Sequence, residues 1–345
     1  MGVGASSAAA LVLPVDWLAG VLPHSPPVGA ASSSSATRAT GGHTGHVLGM
    51  AKQHSVPARI NQLLPRLLFS QNCRGLKVDS RIDEITDALV QRHAYAAGFQ
   101  ETWRIGKEQL LCASTGSLFL GVGPDEQHGR GSMGVAIWLS RSAVAAWHAA
   151  GSEVHDDLGP RVIATRLLIR DGHTRRQRGA FHLNSYAPVS TAPAEEWDTY
   201  YDAITRALSR MRRDDMLVWT TDANASVGRG SLCVSSDTRF GCGSEAIGSF
   251  GIDHLNASGR RFRSFLELHG LRSLSTFFCK RYYGTWQHPR SKLPYQLDHV
   301  VVAARDHRAG LFRDAGSWKG GQLVDAGGTS VATIWHQLGR TLNKT

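Results

Sequence analysis

Asn72, Glu101, Asp222, Asn224 and Asp298 are the residues whose types and positions could do chemistry in this chain. Each stands at the end of a short apolar run of the kind that forms a buried strand. Asn72 follows RLLFSQ, Glu101 follows AAGFQ, Asp222 and Asn224 follow LVWTT, and Asp298 precedes HVVVAA. In layered α/β domains, polar groups at strand ends can meet on one rim of a sheet, where loops build a site. Taken singly, an Asn or Asp after a strand more often starts a turn, because its side chain bonds the nearby backbone. Only convergence of several would make a site.

Other chemistries are excluded by their spacing. Gly129 to Gly134 spells G-x-G-x-x-G, but it precedes the strand pattern VAIWLS. A dinucleotide fingerprint needs a strand before it and a helix after it, so this reads as a loop. There is no G-x-S-x-G elbow, no H-E-x-x-H zinc pattern and no C-x-x-C pair.

The elements that must hold the polar residues are legible as alternating strands and helices. Residues 66–70 read as a buried strand, and Ser80 reads as the cap of a helix with Ile82, Ile85, Leu89 and Val90 at helical spacing. Residues 134–140 and 161–169 give further strands. A helix over 195–211 carries Trp197, Tyr201, Ile204, Leu208 and Met211 on one face, with Pro193 just ahead of it. A strand follows at 216–219. A helix over 258–269 turns Phe262, Phe265 and Leu266 inward and stops at Gly270. This alternation implies an α/β layered domain.

The composition sets the surroundings. Of 345 residues, 42% are apolar and 19% charged, as in ordinary globular proteins, but the net charge is +10. Such a balance favours polyanions, nucleic acid or an anionic surface, through counterion release. Arginine clusters at Arg175, Arg176 and Arg178, and at Arg260, Arg261 and Arg263, are solvated surface or phosphate contacts. Five scattered cysteines argue against a disulfide framework and suit a reducing compartment. The apolar run from Leu11 to Leu22 is broken by Pro14 and Asp16, too short to span a bilayer, and lacks the charged start of a signal peptide. The expected location is intracellular and nuclear. Residues 1–58 are rich in Ala, Ser and Gly and are expected to be disordered.

Seven motifs in order resemble the endonuclease/exonuclease/phosphatase superfamily, nearest to LINE-type retrotransposon endonucleases and craniofacial-development-protein-like sequences. They are SQNCRGL (70–76), FQETW (99–103), NSYAP (184–188), TTDANASVG (220–228), TFF (276–278), GTWQHPRSK (284–292) and QLDHVVV (296–302). The resemblance implies a four-layer sandwich, with two mixed β-sheets face to face and helices outside, over residues 60–325. It also implies phosphodiester hydrolysis of DNA. Asn72 and Glu101 resemble the metal-binding pair, for Mg²⁺ or alternatively Mn²⁺. Asp222 resembles the general base for water. Asn224 and Tyr186 resemble phosphate donors, and Asp298 the residue that orients a catalytic histidine. Trp286, Arg290 and Lys292 would lie at the nucleic-acid surface.

The chain departs from the family's pattern in three places. Thr221 and Ala223 flank Asp222 where the family has Gly and Phe, and Ser275 stands where it has Asn. After Leu323, Val324 and Asp325 the family's Ser-Asp-His is replaced by Ala326, Gly327 and Gly328, and residues 326–345 form an unmatched tail. The pairs Asp306-His307 and Asp253-His254, and His336 in the tail, are poor substitutes. The Asp306-His307 pair, about eight residues past Asp298, would stand about 26 Å away if the strand simply continued. The alternatives are therefore a catalytically impaired relic or nucleic-acid-binding module of the same fold, and a phosphatase of the same superfamily.

Overall fold

The computed structural model describes residues 10–12, 67–125, 133–170, 177–230 and 244–317. The first sheet contains β1 (Ala10–Val12), β2 (Leu67–Asn72), β3 (Ala94–Gln100), β4 (Lys107–Cys112), β5 (Ser117–Val122) and β6 (Val135–Leu139), in the order β1-β4-β5-β6-β3-β2. Helix α1 (Asp79–Gln91) connects β2 to β3, which pair in parallel. Helix α2 (Arg141–Ala149) follows β6, capped by Ser140, whose Oγ accepts from Ala143 N at 3.3 Å.

The second sheet contains β7 (Val154–His155), β8 (Val162–Arg170), β9 (Gln177–Tyr186), β10 (Met216–Asp222), β11 (Leu271–Ser273) and, beyond the small hairpin of β12 (Trp286–Gln287) and β13 (Pro294–Tyr295), β14 (Asp298–Ala303). Its order is β11-β14-β10-β9-β8-β7. Helix α3 (Ala194–Ser209) makes the crossover between the parallel strands β9 and β10. Helix α4 (Ala257–Leu268) precedes β11, and α5 (Ala304–Arg308) follows β14.

Strand alternation sorts the side chains into layers. Ile82, Ile85 and Leu89 of α1 pack on Phe69, Phe99 and Trp138, the outward residues of the first sheet. Leu68, Ala96, Ile137, Val218 and Val300 meet between the sheets, joined by Trp147 of α2. Leu217, Trp219 and Val301 face out against Trp197 and Ile204 of α3 and Phe262 of α4. Two mixed sheets lie face to face with helices outside, the expected four-layer arrangement.

The interior between the sheets is not wholly apolar. Gln100 Nε2 donates to Ser70 Oγ (3.2 Å) and across to Asn184 Oδ1 (2.6 Å), which also accepts from Thr220 Oγ1 (3.0 Å). Asn184 Nδ2 returns two bonds to the first sheet, on Phe99 O and Ala136 O. Satisfied buried polar groups fix the relative placement of two surfaces that apolar packing alone would leave free to slide. Gly98 makes room for this contact, since a Cβ there would lie 2.1 Å from Thr220 Oγ1.

Several expectations need correction. Val78, not Ser80, occupies the cap position of α1, and no side chain bonds there; Ser80 is helical. The helices expected over 195–211 and 258–269 span Ala194–Ser209 and Ala257–Leu268, the second capped by Asn256. The strand expected to end at Trp219 runs on to Asp222. In the segment 1–58, Ala10–Val12 pairs antiparallel with β4. The remainder of that segment, Arg175, Arg176, most of the G-x-G-x-x-G run, the tail after residue 325 and His336 lie outside the described residues.

Candidate active site

Both parallel strand pairs end on the same rim of the sandwich. Asn72 closes β2 beside Gln100 at the end of β3, and Tyr186 closes β9 beside Asp222 at the end of β10. Asp298 opens the antiparallel strand β14 directly opposite Asp222. Period-two alternation carries Asn72, Tyr186, Asp222 and Asp298 on the same faces as Leu68, Ala180, Val218 and Val300, all of which line the space between the sheets. One residue needs more than alternation. Glu101 follows the inward Gln100 and would face outward, but its φ of 52° breaks the strand. Its side chain then turns back to the cluster.

The contacts are direct. Asn72 Nδ2 donates to Glu101 Oε1 at 2.7 Å and to Asp222 Oδ2 at 2.9 Å. Tyr186 OH donates to Glu101 Oε1 at 3.0 Å. Asn224 N donates to Asp222 Oδ1 at 3.0 Å, while Asn224 Nδ2 donates to Ala187 O at 3.0 Å. Asn224 thus has φ of 46° and is held as part of the loop after β10. Thr285 Oγ1 accepts from Leu297 N and Asp298 N at 2.9 and 3.1 Å, securing the start of β14. The motifs carried nothing that singled out Thr285; only its position beside Asp298 in space does so.

Burial shapes the electrostatics. Asp222 is pushed up to about 6, chiefly by desolvation, against the lowering effect of its bonds from Asn72 and Asn224. Asp298 is held well above the usual carboxylate range by burial and by Asp222 beside it, and its Oδ1 has no hydrogen-bond partner among the described residues. The Tyr186 phenol is raised beyond its ordinary value by burial and the neighbouring Asp222 and Glu101, so it stays protonated as a donor. Arg161 lies over its ring at 5.2 Å. Buried carboxylates with one atom unpartnered fit a site that receives a cation. Among the described residues no group of three His, Cys, Asp or Glu side chains forms a metal cage. A cation here would rest on the Asn72 amide and the Glu101 carboxylate, few oxygen donors of the kind that suits Mg²⁺.

The other candidates lie elsewhere. Trp286 packs against Tyr295 and His288 in the β12–β13 hairpin, and Arg290 and Lys292 are exposed on the same hairpin. The hairpin adjoins the site through Thr285, but none of the three touches the carboxylates. Ser275 Oγ accepts from Gln296 Nε2 at 2.8 Å, a buried bond outside the cluster. β14 ends at Ala303 and turns into α5, so the continuing strand assumed for His307 does not exist. His307 packs on Phe277 and Phe278, while Asp306 pairs with Arg178. His254 meets the Tyr295 ring edge-on. His299 is buried under Phe262, with Nε2 on Ala225 O and Nδ1 on Ser273 Oγ. Arg261 lies over Trp197 and the buried Arg263 bonds Val227 O, so two of these three arginines serve the fold.

The structure matches the endonuclease domain of TRAS1, a telomere-specific non-LTR retrotransposon, with a TM-score of 0.50 at 16% identity, over 80% of this chain and 100% of that one. It matches AP endonuclease LMAP from Leishmania major with a TM-score of 0.52 at 12% identity, over 79% of this chain and 88% of that one. The chain has the endonuclease/exonuclease/phosphatase fold. No family model and no curated protein matches the sequence. Within the endonuclease/exonuclease/phosphatase fold, the conjunction of Asn72, Glu101, Tyr186, Asp222 and Asp298 joins side chains up to 226 positions apart on one rim.

Proposed function

We propose that this chain is a Mg²⁺-dependent phosphodiesterase that nicks DNA, an endonuclease of retrotransposon type. The observation that carries the reading is the single amide of Asn72 bridging Glu101 and Asp222 across two sheets. Such a bridge holds an acid for the ion and an acid for the water at fixed separation, as positioning catalysis requires. The ion, when bound, would neutralise charge on the reacting phosphate. Asp222 accepts the proton of the attacking water as the new P–O bond forms and the bond to the leaving oxygen breaks. Its raised pKa brings its basicity closer to neutrality, where a general base works best. Tyr186, its one hydroxyl hydrogen turning from Glu101, and Asn224, with the second hydrogen of its amide, donate to the phosphate as charge grows.

The exposed hairpin with Trp286, Arg290 and Lys292 supports a nucleic-acid partner, as does the excess of basic residues. Both matched structures are named as endonucleases. Among the described residues no helix is long and apolar enough to cross a membrane. A nuclear location belongs to this reading. A second reading, a DNA-binding module with impaired turnover, is favoured by one observation: Ala326, Gly327 and Gly328 occupy the place of Ser-Asp-His.

Supercoiled plasmid with Mg²⁺ separates the two. Nicking by the native chain that disappears in Glu101→Ala supports the enzyme. Nicking only by the triple variant Ala326→Ser/Gly327→Asp/Gly328→His supports the impaired module. DNA binding without nicking by either chain rejects the catalytic assignment.

A further inference from the structure

The carboxylate cluster has one cation beside it that the roles above leave unused. Arg74 lies two residues past Asn72, at the point where β2 leaves its sheet, and is half-buried. Its backbone is fixed on every side. Arg74 N donates to Asn72 Oδ1 at 3.1 Å, Cys73 N to Gln100 O at 2.8 Å, and Gly75 N to Glu101 O at 2.7 Å. The loop thus runs alongside the segment that carries Glu101. At φ of 46°, Arg74 adopts a left-handed conformation unfavourable for a side chain with a Cβ. Such conformations persist where the surroundings enforce them, and they concentrate at working sites.

Among the described residues the guanidinium is uncommitted. Arg104, Arg161, Arg166, Arg178 and Arg210 each hold a carboxylate within the protein. Arg74 makes no side-chain hydrogen bond or ion pair among the described residues. Its backbone stands directly at the cluster, because the Asn72 amide whose Oδ1 accepts from Arg74 N is the one whose Nδ2 bonds Glu101 and Asp222. A guanidinium offers paired N–H donors that match two oxygens of a phosphate, and it stays charged at any working pH. In a chain whose expected histidine is replaced by Gly328, the site still requires a donor where charge develops on the phosphate.

We propose that Arg74 contacts the non-bridging oxygens of the DNA phosphate held at this cluster, supplying the positive donor that the missing histidine would have supplied. The inference rests on the phosphodiesterase reading for its catalytic consequence, but its phosphate contact can be measured without turnover. The decisive variant is Arg74→Gly, because glycine tolerates the left-handed backbone and removes only the side chain. Two measurements are made: Mg²⁺-dependent nicking of supercoiled plasmid, and binding of a short DNA duplex in EDTA across a salt series.

The expected result is an unchanged or higher Tm for Arg74→Gly, with kcat for nicking lower by about 10²–10³-fold and KM changed far less. Arg74→Lys should recover part of the loss, since it keeps the charge without the fork. In EDTA, the slope of log affinity against log salt should flatten by about one for Arg74→Gly. If the native chain nicks and Arg74→Gly nicks equally well, the inference fails and the phosphodiesterase reading stands. If the native chain binds DNA without nicking but the slope flattens, that reading fails and the phosphate contact stands. An unchanged slope in a chain that does not nick overturns the contact, as does a native chain that neither binds nor nicks DNA.

Discussion

Asp222→Asn should make this protein more stable at pH 8 while removing its proposed base. The carboxyl is buried and raised from 3.8 to about 6, so its ionised form is penalised in the folded state. That rise corresponds to about 3 kcal/mol. Because the folded pKa lies above the unfolded one, the stabilising contribution is full below about pH 3.8. It is lost as pH rises through about 6. The substitution removes this penalty but sets a new NH2 group against one of the donors from Asn72 and Asn224, a loss of about 1 kcal/mol. The net gain of about 2 kcal/mol at pH 8 should raise Tm by about 4–8 °C in a domain of this size. At pH 4 the native carboxyl is already protonated and the advantage should vanish. Thermal unfolding in chelator-containing buffer at both pH values measures this, and plasmid nicking should fall by about 10²–10⁴-fold. A variant less stable than the native chain at pH 8, or one shifted equally at pH 4 and pH 8, refutes the burial argument.

Two further substitutions test how the scaffold holds the site. Gly98→Ala brings a Cβ to 2.1 Å from Thr220 Oγ1 and 2.5 Å from Asn184 Oδ1. It should lower unfolding stability by about 1–3 kcal/mol in urea, and an unchanged midpoint would show that the intersheet contact yields freely. Asn256→Ala removes the cap of α4, whose Oδ1 accepts from Gly259 N at 2.6 Å and Ser226 N at 3.2 Å. A loss of about 1 kcal/mol is expected by denaturant titration, and stability equal to the native chain would deny the cap its role.

Much of this molecule was written locally in the chain. Alternation within LLFSQN, MLVWTTD and DHVVVA was enough to put Asn72, Asp222 and Asp298 on inward faces, because side chains change sides with every residue of a strand. The identities of the polar residues, their placement at strand ends and the layered α/β class were legible for the same reason. Other features depended on segments meeting that are far apart in sequence. The pairing of Asp222 with Asp298 is a matter of strand register, and the bond from Gln100 to Asn184 joins residues 84 positions apart. The turn of Glu101 through a left-handed conformation reverses what alternation alone would dictate, and it takes its reason from Asn72 and Tyr186. Likewise Asp306-His307 reads as a distant strand pair until β14 turns into α5, and Arg263 reads as solvated surface or a phosphate contact until α4 buries it. Local pattern decides which face a side chain takes. Only the packing of remote strands decides what it meets there, and that meeting sets the charge, the hydrogen bonds and the chemistry.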